Sequence, residues 1–149
     1  MNSKEIKMED KPELLFADLT PGRKFRTLQY PITRELVDAF MDTVGDRNPL
    51  YWDEVAFPNG LLAPPGLAGI YARLSYLQDH TMPSGGILAK QEFEFKGAAK
   101  IGDTLLVSAS VIESYLDEKG RKRVTFLIEA LNQESKPIST IRIYAIWPK

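Results

Sequence analysis

From Ile87 onward the chain alternates apolar and polar residues. Four segments, Ile87 to Phe95, Thr104 to Tyr115, Arg123 to Leu131 and Ile138 to Trp147, carry the period-two pattern of strands whose two faces differ. Leu105, Val107, Ala109 and Val111 share one face of the second segment, and Ile141, Ile143, Ala145 and Trp147 one face of the fourth. The connectors AAKIGD, LDEKGR and NQESKP are rich in turn formers. The pattern predicts antiparallel strands, largely hairpin-linked, each burying one face.

The first half follows a different rhythm. After the turn signal Thr20-Pro21-Gly22, residues Phe25, Leu28 and Tyr30 suit a strand. Leu36, Val37, Phe40, Met41 and Val44 then recur at helical spacing, with Thr33 as the N-cap, Glu35 in the first turn and Gly45 closing the helix. A second helix is expected over GLAGIYARLSYLQ, after Pro64-Pro65. It is apolar almost all round, which predicts burial, while Gly66, Gly69, Ala72 and Ser75 keep part of its surface thin. Between the helices, Gly45 to Gly66 is dense in turn formers and has the length of a functional loop, with one helical turn expected at Asp53 to Phe57. Residues 1–13 are charged and aperiodic and read as a flexible N-terminal segment, leaving 14–149 as a single domain. The sum is an α+β domain, one long apolar helix against a curved antiparallel sheet.

Composition narrows the chemistry. The 149 residues, 44% hydrophobic and 26% charged, are enough for one core and no second catalytic domain. With 19 Lys and Arg against 20 Asp and Glu there is no excess of positive charge, so neither nucleic acid nor an anionic membrane is expected as a partner. The lack of Cys excludes disulfides, thiolate catalysis and Cys-ligated zinc, and a single His, His80, leaves no basis for a metal site. No signal peptide or membrane-spanning run is visible, so the expected location is cytoplasmic. What remains is the chemistry of carboxylates, hydroxyls and backbone amides.

Dinucleotide, P-loop, serine-hydrolase elbow and zincin motifs are all missing. His80, in the polar turn LQDHTMPSGG, reads as a solvated or capping residue rather than a base. In the long loop, Asp46 and Asn48 precede Pro49; taken alone, that string is an Asx-turn. Tyr51 and Trp52 beside it suit packing as well as they suit a pocket rim.

The strings GDRNPLYWDEVAF and GLLAPPGLAGIYARL resemble the motif of MaoC-like hydratases and dehydratases, Gly-Asp-x-Asn-Pro-(Leu/Ile/Val)-His followed by Asp and a small residue. EFEFKGAAKIGDTLLVSASV is similar to that family's strand, overhang and Gly-Asp-Thr turn, here Gly102-Asp103-Thr104. The resemblance covers the chain from about Leu14 onward. It implies the hotdog fold, an antiparallel sheet wrapped around one helix.

It also implies hydration of an enoyl thioester, or dehydration of a 3-hydroxyacyl thioester, carried on coenzyme A or acyl carrier protein, with no cofactor. Asp46 falls at the catalytic Asp position and Asn48 at the motif Asn, whereas Tyr51 stands where the pattern has His and Pro64-Pro65 where it often has His-Gly. These replacements resemble the N-terminal-type dehydratase domains of the superfamily, some of which pair with a subunit supplying Asp and His. By that resemblance Asp46, Asn48 and Tyr51 form the catalytic set; Gly66 and Leu67 offer amides to the thioester carbonyl; Trp52 and Tyr71 flank the acyl chain, which runs past Leu74. A homodimer, or a heterodimer with a MaoC-like subunit, is the expected assembly. The alternative is a non-catalytic acyl-thioester binding or scaffolding module. A hotdog thioesterase would need a carboxylate on the central helix, and Gly66 to Gln78 has none.

Overall fold

The computed structural model describes residues 11–149. Its sheet has five antiparallel strands, β1 (Leu28–Pro31), β2 (Ile87–Phe95), β3 (Thr104–Leu116), β4 (Lys122–Leu131) and β5 (Pro137–Trp147), in the order β1-β3-β4-β5-β2. Helix α1 (Arg34–Val44) follows β1, and α2 (Leu67–Tyr76) lies against β3 and β1. This is the hotdog arrangement the resemblance implies.

Local chemistry accounts for the boundaries. The Thr33 hydroxyl accepts the Leu36 N–H at 3.1 Å, and Gly45 stops α1 at φ 72°, a left-handed conformation that glycine adopts freely. The β3–β4 hairpin closes on Asp117, whose carboxylate accepts the Lys119 and Arg121 amides and both the Arg121 and Arg123 guanidinium groups. The β4–β5 hairpin closes on Asn132, which accepts the Glu134 and Lys136 amides.

The inward faces of β3 and β5 are buried as the alternation predicts, and the core centres on Phe126, stacked on Tyr76 at 4.1 Å and tilted against Trp147 and Phe25. Trp147 donates its indole N–H to the Leu14 carbonyl at 2.7 Å, tying the start of the domain to its last strand. Of the segment expected to be flexible, residues 1–10 lie outside the described residues. Pro12 accepts the Thr81 amide and Glu13 bridges Thr81. No helix among the described residues is long and apolar enough to cross a membrane.

Two expectations about burial fail, for one reason. Helix α2 is not buried all round: Ile70 and Leu74 are 43% and 44% exposed, on the face turned away from the sheet. Strand β2 buries neither face; Ile87, Leu88, Phe93 and Phe95 are all exposed. As an edge strand it is hydrogen-bonded only to β5, and no strand among the described residues pairs with its other side. Val44, at the end of α1, is exposed as well.

Candidate active site

The loop after α1 is built by short polar side chains. Asp46 Oδ1 accepts the Asn48 N–H at 3.3 Å, the Asx-turn of the plain reading, and Asn48 Oδ1 accepts the Leu50 N–H at 3.1 Å, capping a single 3-10 turn over Pro49–Tyr51. Asp53 then caps the helical turn expected at Asp53 to Phe57, taking the Val55 and Ala56 amides, and the Phe57 N–H returns to the Asp53 carbonyl. Leu62 donates to the Leu50 carbonyl, Ala63 to Ala99 and Ile101 to Leu61, which stitches the loop to the segment after β2. Asp103 supports this wall from behind by accepting the Lys100 amide and the Gln133 side chain.

These segments enclose a cavity of about 450 Å³ whose wall is predominantly apolar, from Ile32, Leu62, Leu67, Phe95, Leu105 and Ile138 among others; its polar side chains are Tyr51, Tyr71 and Lys96. Volume and lining suit a small apolar ligand with few polar anchors. Tyr51 is buried, and burial first, then the nearby negative charge of Asp46, push its phenol above the ordinary tyrosine range. At neutral pH it is therefore an O–H donor and no base. Tyr71 is likewise pushed up by burial, and its hydroxyl shares a 2.6 Å hydrogen bond with Ser139 of β5.

At the start of α2 the Leu67, Ala68 and Gly69 amides donate to the Pro64, Pro65 and Gly66 carbonyls. The Gly66 N–H has no such partner among the described residues, and because Pro64 and Pro65 carry no N–H it is the first free amide of the helix. Gly66 also leaves room for α1, since a Cβ there would lie 2.6 Å from Cζ of Phe40.

Of the residues singled out in the sequence, Tyr51, Leu67 and Tyr71 line the cavity, and Asp46 stands close enough to Tyr51 to act on its ionisation. Asn48, Trp52 and Gly66 are not part of the lining. Trp52 is half exposed and donates its indole N–H to the Arg47 carbonyl. The Leu67 amide is already engaged, which leaves its side chain as its contribution. Leu74, expected beside the acyl chain, is half exposed and is not part of the lining. His80 lies beyond the far end of α2, beside Arg23, Arg26 and Asp79. Sequence reasoning missed Phe95 to Ala99 as a wall and Ser139 as the partner of Tyr71. The small run Gly97-Ala98-Ala99 was the available signal for the wall: a Cβ at Gly97 would lie 2.8 Å from the Pro137 carbonyl oxygen. Among the described residues no three His, Asp or Glu side chains are grouped to hold a metal ion.

A family model described as "FAS1-like, dehydratase domain region" matches residues 20–141. No curated protein matches the sequence. Among solved structures, the R-hydratase PhaJ1 from Pseudomonas aeruginosa is similar with a TM-score of 0.75 at 23% identity, over 92% of this chain and 87% of that one. A MaoC-like dehydratase from Rhodospirillum rubrum gives 0.75 at 21% identity, over 91% and 98%. The HadBC 3R-hydroxyacyl-ACP dehydratase complex from Mycobacterium tuberculosis gives 0.72 at 19% identity, over 85% and 96%. At these identities the likeness is one of fold.

Proposed function

Since the chain belongs to the family of FAS1-like dehydratase domains, we propose that it is a MaoC-like enoyl-thioester hydratase or 3-hydroxyacyl-thioester dehydratase, working as one subunit of a dimer. The observation that carries this reading is the protonated Tyr51 in the wall of an apolar cavity, with the Asp46 carboxylate beside it and the free Gly66 amide at the start of α2.

In the dehydration direction a proton leaves C2 of the acyl group, electron density moves onto the thioester oxygen, and the C3–O bond breaks as water departs. The Gly66 N–H, at a helix N-terminus, suits the oxygen that gains charge. Tyr51 donates its proton or a hydrogen bond to the departing hydroxyl, while Asp46 orients the water and Asn48 braces the loop. Tyr51 cannot also remove the C2 proton, so that task falls to Asp46 or to a carboxylate or imidazole from the second subunit. The uncovered faces of α2 and β2, with Ile70, Leu74, Ile87 and Leu88 exposed, favour such a subunit. The carrier is coenzyme A or acyl carrier protein. A second reading, a non-catalytic thioester-binding module, is favoured by a lining that holds neither a carboxylate nor an imidazole.

The test is hydration of trans-2-enoyl-CoA by the purified chain, alone and with any co-purifying partner, against Asp46→Asn. Activity in either preparation that the substitution abolishes is the expected result. Thioester binding with no activity in both preparations leaves the binding module, and activity untouched by the substitution overturns the site.

A further inference from the structure

Phe95 is the last residue of β2 and Lys96 the next, yet both line the cavity. Regular alternation would place the two on opposite faces of the sheet. The Lys96 and Gly97 amides both donate to the Ile138 carbonyl, at 2.9 and 3.3 Å, so two residues face one partner, the geometry of a β-bulge. A bulge re-aims a side chain, and Ile138, the residue opposite, lines the same cavity. Gly97 is part of the device, because a Cβ there would meet the Pro137 carbonyl oxygen at 2.8 Å.

Lys96 is the only charged residue of the lining. Lys90, Lys136 and Lys149 each have a carboxylate partner and Lys11 a carbonyl, whereas the Lys96 ammonium has neither among the described residues. An alkyl chain filling the cavity would strip water from that ammonium and offer no acceptor in return. A carboxylate on the chain restores both the hydrogen bond and the charge balance. Position favours the acyl group over the carrier as its bearer. A cavity of about 450 Å³ is only ~10 Å across if compact, so an anion beside Lys96 lies close to a thioester beside Tyr51. The acyl group begins at the thioester carbonyl, while the carrier's phosphates lie at the far end of the pantetheine arm. Resting on the thioester reading above, we infer that Lys96 sets the specificity: the cavity takes a short acyl thioester bearing a carboxylate, paired with the Lys96 ammonium, in preference to an alkyl chain of equal length.

Calorimetry compares two pairs of equal chain length, glutaryl-CoA against pentanoyl-CoA and adipoyl-CoA against hexanoyl-CoA. All four carry the same phosphates, and none needs turnover. The native protein should bind the carboxylated member of at least one pair about tenfold more tightly, the scale of one charge-assisted hydrogen bond. Lys96→Met, checked for unchanged thermal unfolding, should bring that ratio close to one. Lys100→Met, at an exposed lysine outside the lining, should leave it as it is. Equal affinity within both pairs, or a preference for the alkyl compounds, overturns the carboxylate subsite and leaves the thioester reading standing. A ratio unchanged in Lys96→Met overturns the assignment to Lys96; if both members of a pair weaken equally there, the ammonium serves the carrier's phosphates instead. The same drop in Lys100→Met overturns a local pairing. Failure of all four compounds to bind overturns the subsite and the thioester reading together.

Discussion

Gly66 couples the start of the central helix to α1, and Gly66→Ala measures that coupling. The backbone there has φ −62° and ψ −17°, an ordinary helical conformation that alanine adopts without strain. On conformational grounds alone the change would stabilise by about 0.4–1 kcal/mol, by restricting the unfolded chain. The new Cβ, however, would lie 2.6 Å from Cζ of Phe40 and 3.5 Å from both Cε atoms, where carbon atoms at rest keep ~3.5–4.0 Å. Forced repacking of this kind costs about 1–3 kcal/mol, so the net expectation is a loss of roughly 1–2 kcal/mol. Urea unfolding reads it as a lower midpoint at unchanged slope, and heating as a Tm lower by about 2–4 °C per kcal/mol for a chain of this size. In a Phe40→Leu background the obstructing ring is gone, and the same substitution should cost nothing or stabilise. An equal loss in both backgrounds, or no loss in the native one, refutes the contact as the reason for glycine at this position.

Burial pushes Tyr76 up to about 12 and raises Tyr71, Tyr30 and Tyr51 as well. Because the folded state holds these protons more tightly than the unfolded chain, their contribution to stability is complete below the ordinary tyrosine pKa of ~10 and falls as pH rises beyond it. Absorbance titration should show the four ionising later in the folded protein than in urea; coincident curves would contradict their burial. At Asp117 burial favours the neutral acid, but the Arg121 amide, the Arg123 and Arg121 guanidinium groups and the Lys119 amide outweigh it and hold the carboxyl well below its usual range. That contribution is present above the ordinary carboxylate pKa of ~4 and is lost as pH falls, so Asp117→Asn should unfold at lower urea at neutral pH with the gap to the native chain closing in acid. A gap constant with pH would exclude the charge. Thr33→Ala removes the cap of α1 and should cost ~1 kcal/mol in urea unfolding; an unchanged midpoint would show the cap to be idle.

Much of the fold was legible because its signals are local. Thr33 and Gly45 bound α1 through bonds made within a few residues, and the alternation of Leu105, Val107, Ala109 and Val111 is a property of one strand. The apolar residues on α2 and β2 were misread as buried because hydrophobicity records that a face is to be covered and not which chain covers it; Ile70 and Leu88 illustrate this. The candidate site was half legible. Asp46, Asn48 and Tyr51 sit in one contiguous string, whereas Tyr71 and Ser139 are 68 positions apart and meet only when the sheet curls over the helix. Gly97 carries a requirement that exists only once β5 lies beside it, through the Pro137 carbonyl.

The most direct measurement of the central claim is the rate at which trans-2-hexenoyl-CoA is hydrated by the assembled protein, native against Tyr51→Phe, with Tyr144→Phe as a control on the outer side of the sheet. Removing a proton donor from the reacting hydroxyl should lower kcat by about 10²-fold or more while KM changes little and the control retains full activity. Full activity in Tyr51→Phe would contradict the account, since the cavity would then lack the donor on which its chemistry depends.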